Sequence, residues 1–80
     1  MAEKQKNTDA FGVILRKYRH EKGLTQEQLS ERVDVVRSYI CTLEKGDRQP
    51  SLQMILRLAD ALGVRPGDMI NDMADRIEGK

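Results

Sequence analysis

Apolar residues recur at intervals of three and four along most of this chain, a spacing that places side chains on one face of an α-helix. The resulting stripes consist of Phe11, Ile14, Leu15 and Tyr18; Leu29 and Val33; Ile40 and Leu43; Leu52, Ile55, Leu56, Ala59 and Leu62; and Met69, Ile70, Met73 and Ile77. No segment shows the alternation typical of a strand. The pattern therefore predicts an all-α domain of five helices over residues 9–78, preceded by a flexible arm over residues 1–8.

The start of the second helix carries the strongest local signal. Thr25 is followed three residues later by Gln28, the capping-box spacing at which two side chains satisfy free backbone amides of a first turn. Gly23 before it and Gly46 further on are residues at which helices commonly stop. These signals delimit a second and a third short helix within residues 25–46.

Composition narrows the possible functions. The 80 residues are 39% hydrophobic and 34% charged, and the net charge is +1. A chain of this length and hydrophobic content can form one small core. Cys41 is the one cysteine and His20 the one histidine, so we expect no disulfide within the chain, no metal and no cofactor. No Ser/His/Asp set or glycine-rich phosphate loop is present, so we do not expect an enzyme. With neither a signal peptide nor an apolar membrane span, the expected location is the cytoplasm, away from membranes.

Several motifs follow one another in a characteristic order. They are LRKYR at 15–19, GLTQEQL at 23–29, YICTLEKG at 39–46, PSL at 50–52 and LADALGV at 58–64. Over roughly residues 11–70 the chain thereby resembles the helix-turn-helix family of phage repressors and Cro proteins, also called XRE-like regulators. The resemblance implies a compact lambda-repressor-like domain whose third helix lies in the major groove of DNA.

The same resemblance assigns base contacts to the start of the third helix and to one turn later. Those positions hold Arg37, Ser38 and Thr42. The chemistry of Arg37 suits this role, because a guanidinium can donate twice to guanine O6 and N7. The alternative is that Arg37 is an ordinary solvated helix residue.

Phosphate contacts and an architectural ion pair are also implied. The expected phosphate-binding residues are Thr25, Gln26, Tyr39, Lys45 and Arg48, the first two at a helix N-terminus where backbone amides attract anions. Arg19 and Glu44 occupy the positions of an ion pair that joins the first helix to the third in many relatives.

Two residues of the turn depart from the family pattern. Asp34 replaces the usual glycine at a position where the backbone is left-handed, a conformation that Asp tolerates better than most residues. Val36 replaces the usual Ser or Thr before the third helix and cannot cap it, a loss of about 1 kcal/mol. The exact start of that helix is therefore left open by the sequence.

The remaining singular residues have ordinary interpretations beside functional ones. Cys41 is expected to be a small packing residue, with a redox-sensing thiol as the alternative. His20 is expected to be exposed at a helix end. Met73 and Ile77 extend beyond the expected core and are predicted to form a subunit interface.

The predicted function is regulation of transcription, and two alternatives are consistent with the same residues. The chain is predicted to be a transcriptional regulator, in particular a repressor, that binds a palindromic operator in double-stranded DNA as a homodimer and excludes or contacts RNA polymerase. An antitoxin or a controller of a restriction-modification system would look similar. A protein-interaction module that has lost DNA binding is the second alternative.

Overall fold

The computed structural model describes residues 6–79, and the side chains of residues 9–79. Its helices are α1 (Lys6–Glu21), α2 (Gln26–Val33), α3 (Arg37–Lys45), α4 (Leu52–Leu62) and α5 (Pro66–Glu78). No strand occurs in this part of the chain, and the prediction of an all-α, five-helix fold is confirmed. None of the helices is long and apolar enough to cross a bilayer.

The first helix starts earlier than the apolar pattern indicates. α1 begins at Lys6, so residues 6–8, which we assigned to a flexible arm, are helical, while residues 1–5 of that arm lie outside the described residues. Nothing between Lys6 and Phe11 breaks a helix, and Asp9 places a negative charge in the first turn, near the positive end of the helix dipole. The apolar stripe marks only the part of α1 that meets the core.

Side-chain caps set the start of α2 and of α4. Thr25 Oγ1 accepts the N–H of Gln28 at 3.0 Å, and the Gln28 side chain accepts the N–H of Thr25 at 2.8 Å, so the predicted capping box is present. Ser51 Oγ accepts the N–H of Met54 at 3.0 Å in the same way. α3 ends at Lys45, and Gly46 directly after it adopts the left-handed conformation expected of a helix stop.

All five helices contribute to one core. Its largest fully buried side chains are Phe11, Leu15, Leu29, Ile40, Leu43, Leu58, Leu62 and Met69. The prediction for α4 is wrong in part, because Leu52 and Leu56 of its apolar stripe are 66% and 48% exposed. Periodicity defines the width of a stripe but not which edge the neighbouring helices cover, and α4 packs mainly against α2 and α5.

A glycine allows α1 and α3 to approach closely. A Cβ atom at Gly12 would lie 2.6 Å from the carbonyl oxygen of Glu44 and 2.7 Å from that of Leu43. Such contacts would force the backbones apart, so the absence of a side chain lets α3 lie directly against α1. This close contact fixes the level at which Glu44 meets α1.

A side-chain hydrogen bond joins α1 to α5. Tyr18 Oη donates to Asp72 Oδ2 at 2.5 Å, and Lys17 Nζ lies 3.5 Å from the same oxygen. The bond to Asp72, together with burial of the phenol, raises the pKa of Tyr18 to about 12. The same bond holds the pKa of Asp72 below its usual range. The protonated phenol is therefore favoured in the folded chain.

The Tyr18 phenol is expected to make the free energy of unfolding decrease at alkaline pH. Its pKa is about 12 in the folded chain and 10.0 ordinarily, so its contribution is complete below pH 10.0 and is lost as the pH rises through about 12. In a Tyr39→Phe chain, where Tyr18 is the remaining tyrosine, ultraviolet absorbance should show the phenolate forming with a midpoint of about 12. A midpoint at the ordinary 10.0 would show that the bond to Asp72 does not form in solution.

Candidate nucleic-acid interface

The turn between α2 and α3 is built on a left-handed aspartate. Asp34 has φ 61° and ψ 49°, and it is the one non-glycine residue with positive φ in the described part of the chain. Its N–H donates to the carbonyl oxygens of Glu31 and Ser30, and the N–H of Val35 donates to that of Ser30, which closes the end of α2. The guanidinium of Arg57, on α4, donates to the carbonyl oxygen of Val33 beside the turn. The expected conformation of Asp34 is confirmed, and α4 helps to hold the turn.

The third helix begins directly after Val36. This residue has extended N-cap geometry, with φ −75° and ψ 151°, and its side chain makes no capping hydrogen bond. The N–H of Tyr39 donates to the Val36 carbonyl oxygen at 3.0 Å and closes the first turn. Arg37 is therefore the first residue of α3 even though no side chain caps the helix.

A buried ion pair attaches α3 to α1. Arg19 Nε donates to Glu44 Oε2 at 2.6 Å, and Arg19 Nη2 donates to Glu44 Oε1 at 2.9 Å, a bidentate arrangement. The two side chains are only 8% and 4% exposed. Arg19 Nη1 also donates to the carbonyl oxygen of Leu24 at 2.8 Å, which ties in the segment that precedes α2. One guanidinium thus joins α1, α3 and the start of the helix-turn-helix.

The network continues from the ion pair to the exposed surface through Gln26. The side-chain amide of Gln26 donates from Nε2 to Glu44 Oε1 at 3.0 Å and accepts at Oε1 from Arg37 Nη1 at 3.2 Å. Gln26 was predicted only as a phosphate contact, and its position between Glu44 and Arg37 was missed. Residues 26 and 37 meet only because α2 and α3 cross, so no local sequence signal reveals this bond.

The predicted base-contacting residues share one face of α3. Arg37 and Ser38 are exposed, and Thr42 follows one turn later and is half-buried. The Thr42 hydroxyl donates to the Ser38 carbonyl oxygen at 2.7 Å. Its proton is therefore used within the helix, and the hydroxyl lone pairs and the methyl group remain for contact with a ligand.

The first group of predicted phosphate contacts lies at the start of α2. Thr25 and Gln26 border an open cleft together with Arg19, His20 and Arg37. The free backbone amides of the first turn and the positive end of the helix dipole lie at the N-terminus of α2. The cleft, which Glu27 also lines, places the start of α2 next to the predicted base-contacting arginine.

The second group lies beyond α3. The guanidinium carbon of Arg48 lies 5.6 Å from the centre of the Tyr39 ring, within the range of a cation–π interaction. Lys45 and Arg48 are both exposed. The stacking of Arg48 on Tyr39 keeps its positive charge close to the side of α3.

The remaining residues singled out in the sequence are two on α5, a cysteine and a histidine. Met73 and Ile77 are half-buried. Met73 packs against the core, so the expectation that it extends beyond the core is wrong, because α5 lies along α1 and α4. Cys41 is a half-buried free thiol, and His20 is exposed as expected. Among residues 9–79 no three His, Cys, Asp or Glu side chains lie where they could hold a metal ion together.

Comparison with known sequences identifies the family. A model described as a helix-turn-helix domain matches residues 10–73. An uncharacterized HTH-type transcriptional regulator of Methanothermobacter thermautotrophicus is 54% identical over 50 residues, which cover 62% of this chain and 72% of that protein. Control protein C.BamHI of Bacillus amyloliquefaciens is 39% identical over 62 residues, 76% of each chain.

Solved structures with the same architecture agree with this assignment. The restriction-modification controller protein C.AhdI of Aeromonas hydrophila has a TM-score of 0.75 at 42% identity, covering 78% of this chain and 94% of that one. The clp gene regulator ClgR of Corynebacterium glutamicum has a TM-score of 0.86 at 29% identity, covering 90% and 77%. The controller C.Esp1396I, solved as a tetramer with its natural 35 base-pair operator, has a TM-score of 0.79 at 24% identity, covering 89% and 93%, and shares the fold. The chain therefore belongs to the XRE-like helix-turn-helix family of DNA-binding regulators.

Proposed function

We propose that this protein is a sequence-specific transcriptional regulator that represses transcription by binding a palindromic operator as a homodimer. The observation that carries the proposal is the exposed face of α3, where Arg37 is held through Gln26 by the buried carboxylate of Glu44. A surface guanidinium would ordinarily sample many rotamers. Here one hydrogen bond of 3.2 Å joins it to the Gln26 side chain, which favours a subset of those rotamers.

Arg37 keeps enough donors for a guanine after this anchoring. A guanidinium has five N–H donors, and the bond to Gln26 uses one of them. Two parallel hydrogen bonds to guanine O6 and N7 remain available in the major groove. Ser38 and Thr42, on the same face, would contact neighbouring base edges with less selectivity.

Sequence-independent affinity would come from the surroundings of α3. Thr25 and Gln26 offer the N-terminus of α2 to one phosphate, and Lys45 and Arg48 offer positive charge to others, with the Tyr39 hydroxyl as a further donor. Such contacts fix the register of the protein on DNA. The bound protein would then exclude RNA polymerase from the promoter, or contact it.

Dimerisation follows from the small size of the recognition surface. One short helix reads few base pairs, whereas two copies about 10 base pairs apart supply specific affinity. We place the interface at Met73 and Ile77 on α5, which are half-buried in the single chain. Ile70, an exposed apolar side chain one turn before Met73 on α5, would extend this interface.

Control of a restriction-modification system is the second candidate. The similarity to C.BamHI and C.AhdI, at 39% and 42% identity, favours it over an antitoxin. In this case, genes for a methyltransferase and an endonuclease would lie next to the gene, and the operator would lie upstream of them.

Selection of bound sequences from a random DNA pool tests the proposal. The parent chain should yield a palindromic consensus, and Arg37→Ala should lose the preference for guanine at one position of each half-site, with affinity lower by about 5-fold to 150-fold for each half-site. Arg76→Ala, an exposed arginine on α5, is the matched control and should keep the consensus.

The absence of any consensus would contradict specific recognition of DNA. The salt dependence of binding separates the remaining alternative, a protein-interaction module. Phosphate contacts make log affinity fall linearly with log salt concentration, by about 0.9 per contact, whereas an apolar protein interface responds weakly.

The oligomeric state tests the placement of the interface. Sedimentation velocity should show a dimer for the parent chain and a monomer for Ile77→Lys, because a buried apolar contact would receive an unpaired charge. Glu31→Lys, an exposed position on α2, is the control and should remain dimeric. A parent chain that is monomeric at high micromolar concentration and binds DNA as a monomer would exclude the dimer.

A further inference from the structure

An exposed valine lies at the tip of the proposed recognition helix. Val36 is 69% exposed, a larger fraction than for any other large hydrophobic side chain among residues 9–79. Its neighbour Val35 packs against the core, so the two adjacent valines have opposite surroundings. Val36 directly precedes Arg37, and no other exposed large apolar side chain lies on α3 or its N-cap.

The local structure gives no reason for an apolar side chain at this position. Val36 is the N-cap of α3, where Ser, Thr, Asp or Asn would accept an amide hydrogen bond from the first turn. Its φ of −75° and ψ of 151° suit almost any residue. A polar residue would thus stabilise the helix and avoid exposing an isopropyl group to water.

We propose that Val36 contacts the C5 methyl group of a thymine next to the base read by Arg37. This inference rests on the proposed function, in which the N-terminal end of α3 enters the major groove. Thymine is the natural base that presents a methyl group on the major-groove edge, and an apolar side chain is its natural complement. Val36 and Arg37 are both exposed at the N-terminal end of α3, so in the major groove the isopropyl group would lie within reach of a base pair next to the one that Arg37 contacts.

Contact between the two apolar groups would remove both from water. The side chain of Val36 then discriminates thymine from the other bases without any hydrogen bond. Arg37 instead discriminates guanine through two hydrogen bonds, to O6 and N7. The exposed valine and the anchored arginine together would form a reading edge with one apolar and one charged element.

Replacement of thymine by deoxyuridine tests the contact, since uracil differs from thymine only by the missing methyl group. With the operator found by pool selection, each thymine is replaced in turn and the dissociation constant is measured. One replacement in each half-site should weaken binding of the parent chain about fourfold, the effect of one buried methyl-sized group. Val36→Ala should bind both operators equally at that position, whereas Val13→Ala, an exposed valine on α1, should keep the fourfold difference.

A second variant separates recognition from stability. Val36→Ser supplies the missing cap and should raise the melting temperature by about 4–8 °C while abolishing the difference between thymine and deoxyuridine. If no thymine responds to loss of its methyl, or if the response persists in Val36→Ala, the inference is overturned although specific DNA binding stands. If the pool yields no consensus, the proposed function fails and this inference fails with it.

Discussion

The bidentate contact between Arg19 and Glu44 determines where α3 lies against α1. Both charges are almost completely removed from water, and such burial is offset only when every donor and acceptor is paired in good geometry. The pair meets this condition, because Arg19 also bonds the Leu24 carbonyl and Glu44 also accepts from Gln26. Any rotation of α3 against α1 would separate these partners, and Gly12 allows the two helices to lie close enough for them to meet.

The exposed N-terminal end of α3 is connected to this buried contact. Gln26 extends the network by one amide to Arg37, while the left-handed Asp34 directs the chain into α3. Two exposed residues then stand at the tip of that helix with different chemistry, a guanidinium that is anchored and a valine that is not. The buried contacts thus lie beneath α3, and the residues proposed to contact bases are exposed.

The sequence predicted those features whose causes are local. The capping box of Thr25 and Gln28 and the left-handed turn at Asp34 depend on residues close together in the chain, and both were expected. The exposure of Leu52 and Leu56 was not expected, because it depends on which helices cover α4.

The link from Gln26 to Arg37 was also missed, because it requires the crossing of two helices to be known. The start of α1 at Lys6 was not predicted, because its first residues are polar and show no apolar periodicity. Local chemistry thus determined the ends of most helices, and only tertiary packing determined the surfaces between them.

Urea unfolding of Arg19→Ala, Glu44→Ala and the double variant tests most directly whether the buried ion pair holds α3 against α1. Each single substitution leaves an unpaired buried charge and should lower the free energy of unfolding by about 3–5 kcal/mol. The double variant should lose clearly less than the sum of the two, since it strands no charge. Single variants that unfold together with the parent chain would contradict the account.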